Sequence, residues 1–314
     1  MSNFALCLLA VLLAWAVFFA AAHPRTLVTL APHDSSPAPI ERSDRLLINR
    51  ALHLPTINLW AWERPEDLRF LASNQAGIAF LAKTINLQSF ATGSPSNSAP
   101  SFSVRPRLQP LRFADSTPLI AVVRIENPPQ LLPRNLFSQP AALSRNNAAT
   151  TTKLENLASE ISDLQSIPGV RAIQIDFDAT TGEHAFYAAL LQNVRRKLPA
   201  SFPLSVTALA SWCIGDRWLA QLPPGTIDEA VPMLFRMGPG AADVARFLHS
   251  GNEFPVAACR SSLGLSTDEP LLRNLLNSNR PRSPLNLRNK RLYIFAPRSW
   301  TSSFASEILK ELQP

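Results

Sequence analysis

The chain has 314 residues, with 30 basic and 23 acidic side chains, a net charge of +7, 46% hydrophobic residues, 17% charged residues and 3 cysteines. This excludes an intrinsically disordered chain, which combines low hydrophobicity with high charge, and a disulfide-stapled miniature fold. It also excludes a polytopic membrane protein, because only one apolar run approaches the roughly 18 residues of a span.

The cationic side chains are 25 Arg and 5 Lys. Residues 271–298 hold Arg273, Arg280, Arg282, Arg288, Lys290, Arg291 and Arg298 and no acid, which equals the whole excess. Such a run is ordinarily a solvated face. As a contact it would suit an anionic surface, lipid headgroups or an acidic polymer. No nucleic-acid-binding motif accompanies it, so nucleic acid is not an expected partner.

At the N-terminus, Phe4 to Ala22 is an apolar run that ends in Ala20-Ala21-Ala22 before His23-Pro24. The small-residue ending reads as a secretory cleavage site. The missing basic residue before the run, and its length, leave a single uncleaved membrane anchor as the alternative. Cys7 follows Leu6 rather than a small residue, which argues against lipidation. Each reading exports the bulk of the chain, which is then periplasmic, secreted or anchored by the N-terminal segment. Residues 23–56 then read as a Pro- and Ser-rich linker.

From Ile57 onward, eight short apolar runs read as strands. They are Ile57–Trp62, Gly77–Leu87, Pro118–Glu126, Val170–Ala179, Phe202–Ser211, Glu229–Met237, Val256–Ser266 and Arg291–Trp300. Segments with helical period lie between most of them: Pro65–Ser73, Lys153–Ile167, Glu183–Leu198, Ala241–His249 and Phe304–Leu312. Pro65 followed by Glu66-Asp67 is a helix-start pattern. Alternating strands and helices imply a parallel sheet. Eight units in residues 57–314 predict an α/β fold, a single (β/α)₈ TIM-barrel-like domain. No glycine-rich turn follows the first strand, against a dinucleotide fold. Segments 88–117 and 127–152 break the pattern. In a barrel they would follow the second and third strands and build the rim of a cleft.

Side chains at i and i+2 of a strand share a face. Asp176 and Asp178 therefore point the same way, their backbones roughly 6.5 Å apart, close enough to couple their titrations. Paired carboxylates at such spacing suit glycosidic cleavage; an Asp pair held by an arginine such as Arg124 is the plainer reading. Glu63 and Glu126 close the first and third strands and are the candidate partner carboxylates. Trp60, Trp62, Arg124, Trp212, Arg236 and Trp300 lie at or just beyond strand ends and are the candidate sugar-binding set. None of the five histidines follows a strand at the rim, so neither a serine triad nor zinc is expected, and no cofactor. Cys213 and Cys259 could bridge in an oxidising compartment, but they sit on non-adjacent units, which argues against it.

Leu59-Trp60-Ala61-Trp62-Glu63-Arg64-Pro65-Glu66-Asp67-Leu68, Val122-Val123-Arg124-Ile125-Glu126, Ile173-Gln174-Ile175-Asp176-Phe177-Asp178-Ala179 and Ser205-Val206-Thr207-Ala208-Leu209-Ala210-Ser211-Trp212 together resemble a bacterial family, domain of unknown function 3142. The resemblance spans roughly residues 57–300 and implies a glycosidase-like barrel in an exported envelope protein. The fourth strand also resembles part of the chitinase-like signature D-x-x-D-x-D-x-E. Asp176 and Asp178 would fill its last two Asp positions, but Thr180 stands where that signature has its acid. The expected function is therefore glycoside hydrolysis by a carboxylate pair. Non-catalytic glycan binding or an envelope scaffold is the alternative, and a metal-dependent hydrolase using the Asp pair is a third. The expected ligand is a carbohydrate or polysaccharide, and the expected state a monomer.

Overall fold

The computed structural model describes residues 50–71, 75–87, 102–127, 148–270, 272, 287 and 289–312. The Phe4–Ala22 run, linker residues 23–49, segments 88–101 and 128–147, and most of the basic stretch before Arg291 lie outside the described residues. Among the described residues no helix is long and apolar enough to cross a membrane.

The described strands are β1 (Ile57–Ala61), β2 (Glu66–Asp67), β3 (Gly77–Leu87), β4 (Phe102–Pro106), β5 (Leu111–Arg112), β6 (Leu119–Glu126), β7 (Val170–Asp176), β8 (Leu204–Leu209), β9 (Glu229–Met233), β10 (Ser262–Ser266) and β11 (Arg291–Phe295). Eight of them close a ring in the order β1-β11-β10-β9-β8-β7-β6-β3, and β3 returns to β1. Every pairing in that ring is parallel. The fold is the expected (β/α)₈ barrel. β3 outruns the ring and pairs antiparallel with β4, from Lys83 opposite Pro106 to Leu87 opposite Phe102.

The helices are α1 (Ala148–Ser162), α2 (His184–Lys197), α3 (Ala210–Ile214), α4 (Ala241–His249) and α5 (Ser302–Leu312). Alternation along each strand splits the core into two layers. Outward residues such as Leu119, Ala121, Val123 and Ile125 of β6 meet Leu157 and Ile161 of α1 and Leu190 and Val194 of α2. Inward residues form a smaller cluster inside the ring, with Trp60, Ala79, Ile120, Val122, Ala172, Val231 and Tyr293. The ring interior is also polar, and most of its groups are paired, as burial favours. Trp60 Nε1 donates to Gln174 Oε1 at 2.9 Å, and Gln174 Nε2 to Ser205 Oγ at 3.3 Å. Tyr293 OH donates to Glu229 Oε1 at 2.5 Å, and Arg291 Nη1 to Glu229 Oε2 at 2.5 Å. Gly264 makes room for the Trp60 indole: a Cβ there would lie 3.2 Å from Trp60 Cη2 and 3.3 Å from the Pro232 carbonyl oxygen.

Residues 50–56, the last part of the expected linker, pack under the ring. Arg50 Nη1 reaches Asp228 Oδ1 at 3.1 Å, and the Ala51 carbonyl accepts from Arg291 Nη2 at 2.6 Å.

Three expectations are corrected. Pro65–Ser73 is not a helix where it is described. Glu66 pairs with Leu111 and Asp67 with Arg112, because the buried Glu66 carboxylate accepts from Arg64 Nε at 2.8 Å and from the Trp300 backbone N–H at 2.9 Å. Second, the fourth to sixth and eighth strands stop sooner than read, at Asp176, Leu209, Met233 and Phe295, and the seventh starts later, at Ser262. Third, Cys213 and Cys259 are joined in a disulfide with Cα atoms 5.8 Å apart. Cys259 lies in the crossover before β10 rather than in the seventh strand, so the two cysteines belong to consecutive crossovers, β8 to β9 and β9 to β10. The crossover after β8 is not a long helix but α3 and the short 3₁₀ turn Trp218–Gln221. The 3₁₀ turn Ala257–Cys259 packs against that turn and β9, which closes the gap.

Candidate functional site

The C-terminal ends of the strands surround an open cavity of about 490 Å³. Alternation decides which side chains reach it. On β6, Val122 and Arg124 turn inward. On β7, Asp176 does, and Asp178 follows just past the strand. On β8, Thr207 and Leu209 do. Trp62, Phe235 and Phe295 supply aromatic walls. Arg107 from the segment after β4 fixes the rim beneath Trp62: its Nη1 donates to the carbonyls of Ala61 at 3.1 Å and Trp62 at 2.5 Å.

Asp176 is the buried acid of the cavity. It stands opposite Arg124 in the β6–β7 register. Thr207 Oγ1 donates to its Oδ1 at 2.7 Å, and Arg124 Nη1 lies 3.6 Å from its Oδ2. Burial raises the Asp176 pKa above its ordinary value; the Thr207 hydrogen bond opposes this, the nearby Asp178 charge adds to it, and Arg124 opposes it. The carboxyl thus retains its proton to higher pH than a surface aspartate. Asp178 is exposed, and no hydrogen bond or ion pair links it to another described residue. A buried, proton-retaining acid beside an open one can pass a proton to a ligand in the cavity.

Six of the ten expected site residues line this cavity: Asp176, Asp178, Trp60, Trp62, Arg124 and Arg236. Glu63 does not. Both its carboxylate oxygens accept from Arg105 of β4, at 2.9 Å for Oε2, and this pairing lowers its pKa. Glu126 lies one inward position beyond Arg124 and accepts from Arg124 Nε at 2.9 Å, so it orients the guanidinium rather than lining the cavity. Trp212 and Trp300 are corrections, because each is 3% exposed and belongs to the outer core. Trp212 packs edge-on to Trp218 with centroids 5.1 Å apart, in α3 behind β8. Trp300 donates from Nε1 to the Trp60 carbonyl at 3.0 Å and stacks on Phe304.

Glu183 is held elsewhere as well. It accepts from the Thr180 backbone N–H and hydroxyl, both at 2.7 Å, and from Asn127 Nδ2, forming the capping box that starts the turn into α2. The sequence reading missed Thr207, Phe235 and Phe295. Thr207 carried a signal: Ser205 and Thr207 are polar at i and i+2 in an otherwise apolar strand, the mark of a polar interior face. Phe235 and Phe295 had no such mark, since aromatic residues at strand ends are equally core. Among the described residues, no group of three His, Cys, Asp or Glu side chains converges as a metal-ligand set.

No curated protein matches the chain. Among solved structures, it is similar to a family GH18 chitinase from Chromobacterium violaceum, with a TM-score of 0.43 and 11% identity over 83% of this chain and 84% of that one. It is also similar to an endo-beta-N-acetylglucosaminidase from Cordyceps militaris in apo form, with a TM-score of 0.41 and 10% identity over 91% of this chain and 100% of that one. Residues 115–232, which carry Arg124, Asp176, Asp178 and Thr207, match the model of the family described as Domain of unknown function (DUF3142).

Proposed function

We propose that the cavity at the barrel mouth binds a glycan and hydrolyses a glycosidic bond, in a monomer exported by its first 22 residues and carried by a barrel domain spanning 57–314. The observation that carries the reading is the pairing of buried Asp176 with exposed Asp178 in one aromatic-walled cavity. Glycosidic hydrolysis needs a proton delivered to the leaving oxygen and a carboxylate that assists water at the anomeric carbon. Asp178 is the carboxylate that meets the sugar. Asp176 holds the proton that goes to the leaving oxygen, and Arg124, 3.6 Å from it, steadies the negative charge left on the Asp176 carboxylate.

One observation favours binding without cleavage. The three nearby glutamates are all committed: Glu63 to Arg105, Glu126 to Arg124 and Glu183 to the Thr180 cap. The experiment compares the chain lacking residues 1–22 with its Asp178→Asn variant. Both are incubated with a panel of bacterial and plant polysaccharides, and released sugar ends and thermal shifts are recorded together. Release by wild type, lost in Asp178→Asn, is the expected outcome. A thermal shift without release in either protein leaves binding as the function. No shift and no release across the panel would overturn the glycan reading.

A further inference from the structure

The aromatic walls of the cavity are already covered by cations. Arg124 Cζ lies 5.4 Å from the Trp62 ring centroid, and Arg236 Cζ lies 5.2 Å from that of Phe295. Those two rings touch edge to face, 6.5 Å apart. A neutral sugar is gripped by stacking its CH face on a bare ring. Here one face of each ring carries a guanidinium, so the wall presents N–H donors and positive charge.

Arg236 is the freer of the two cations. Arg124 is paired with Glu126 at 2.9 Å and with Asp176 at 3.6 Å, whereas Arg236 is paired with Asp268 at 3.7 Å. The Arg236 side chain is 59% exposed. Its backbone has φ +52°, a left-handed conformation uncommon for a residue with a Cβ. The conformation is pinned by the Glu269 carboxylate, which accepts from the Arg236 backbone N–H at 3.2 Å. Strain of this kind persists where surrounding structure holds it. Here it aims a cation across Phe295 into the cavity. Asp268 and Glu269 flank Arg236, but neither lines the cavity, and the cavity acids Asp176 and Asp178 belong to β7 and its end. Arg236 follows β9, two strands from β7, and its guanidinium lies over Phe295 of β11, four strands from β7 in either direction round the ring.

We infer that the glycan taken by this cavity is anionic: a sugar bearing a carboxylate, sulfate or phosphate whose charged group is received by Arg236, while the bond to be cut lies toward Asp178. Arg236 is then the residue that sets substrate charge. The inference rests on the glycan reading above, and the following test separates the two.

Wild type, Arg236→Gln and Arg236→Lys are titrated with hexamers of galacturonate and mannuronate, with sulfated chondroitin oligomers, and with neutral hexamers of cellulose, maltose and chitin. Unliganded melting temperatures verify folding, which an exposed side chain leaves intact. Wild type should bind at least one acidic oligomer about tenfold or more tightly than any neutral one, as a charge-assisted contact implies. That preference should shrink in Arg236→Gln and be partly kept in Arg236→Lys. Raising NaCl should weaken acidic binding to wild type more than to Arg236→Gln, which a merely structural role would not produce. The carboxylate and sulfate arms identify the anion. Tighter binding of a neutral oligomer, or an acidic preference unchanged in Arg236→Gln, overturns the inference while the glycan reading stands. Failure of every oligomer overturns both.

Discussion

Asp176 is a carboxyl whose burial and whose charged neighbours Asp178 and Glu126 all favour its protonated form, against one hydrogen bond from Thr207 and a cation 3.6 Å away. Its folded pKa is raised above the ordinary 3.8, so the folded chain holds this proton more tightly than the unfolded chain does. The resulting stabilisation is complete below the unfolded value and is lost as pH rises through the folded one. Asp176→Asn has the shape of the protonated acid and no titration. The melting temperature of the variant relative to wild type should therefore move in the variant's favour as pH rises from about 4 to about 8. A difference that stays flat over that range would mean the buried carboxyl is not the titrating group. Asp176 and Asp178 were legible in the sequence because alternation within a strand is local. Trp212 and Trp300 were not. Both follow strand ends, and once the strand stops the period of 2 no longer says which side a residue takes. The chain turns outward after Leu209 and after Phe295, and both indoles are buried behind the barrel.

The helices Lys153–Ile167 and Glu183–Leu198 were legible because each carries an apolar stripe that a helix must bury. The segment at Pro65 was not, because Glu66 accepts from the backbone of Trp300 and pairs with Leu111 in a short ladder, and these distant partners override a local start signal. The turn at Thr180–Glu183 shows how a local motif can be taken for chemistry. Glu183 is the glutamate closest in sequence to the missing acid position, yet its oxygens are filled by Thr180 and Asn127. Glu183→Ala should therefore cost about 1–2 kcal/mol of stability through the lost cap. The melting temperature should fall by about 2–4 °C per kcal/mol. Well below that temperature, glycan turnover should be unchanged. Turnover lost as fully as in Asp178→Asn, with the melting temperature unmoved, would make Glu183 the acid and the cap incidental.

At the scale of the molecule, closure of the ring was legible and its reinforcement was not. Eight runs of strand character fix a barrel because eight parallel strands with β1 paired to both β3 and β11 leave no edge. The crossovers are uneven, however. α1 and α2 cover β6 to β8 with two long helices, while the stretch between β8 and β10 is covered by short helices and turns. That stretch is where Cys213 and Cys259 are joined, across 46 residues of sequence. A cross-link over a loop of this length restricts the unfolded chain and is typically worth about 2–4 kcal/mol. An exported chain would meet the oxidising conditions that form it. Replacing both cysteines by serine should lower the melting temperature by about 2–4 °C for each kcal/mol lost. Reductant should lower wild type to nearly the same value and leave the double variant unmoved. Peptide mapping without reduction should recover the two cysteines in one linked fragment. Recovery of both as free thiols, in protein taken from its native compartment, would remove the staple and the proposed oxidising location together. The barrel would then have to hold its thinly covered side by packing alone.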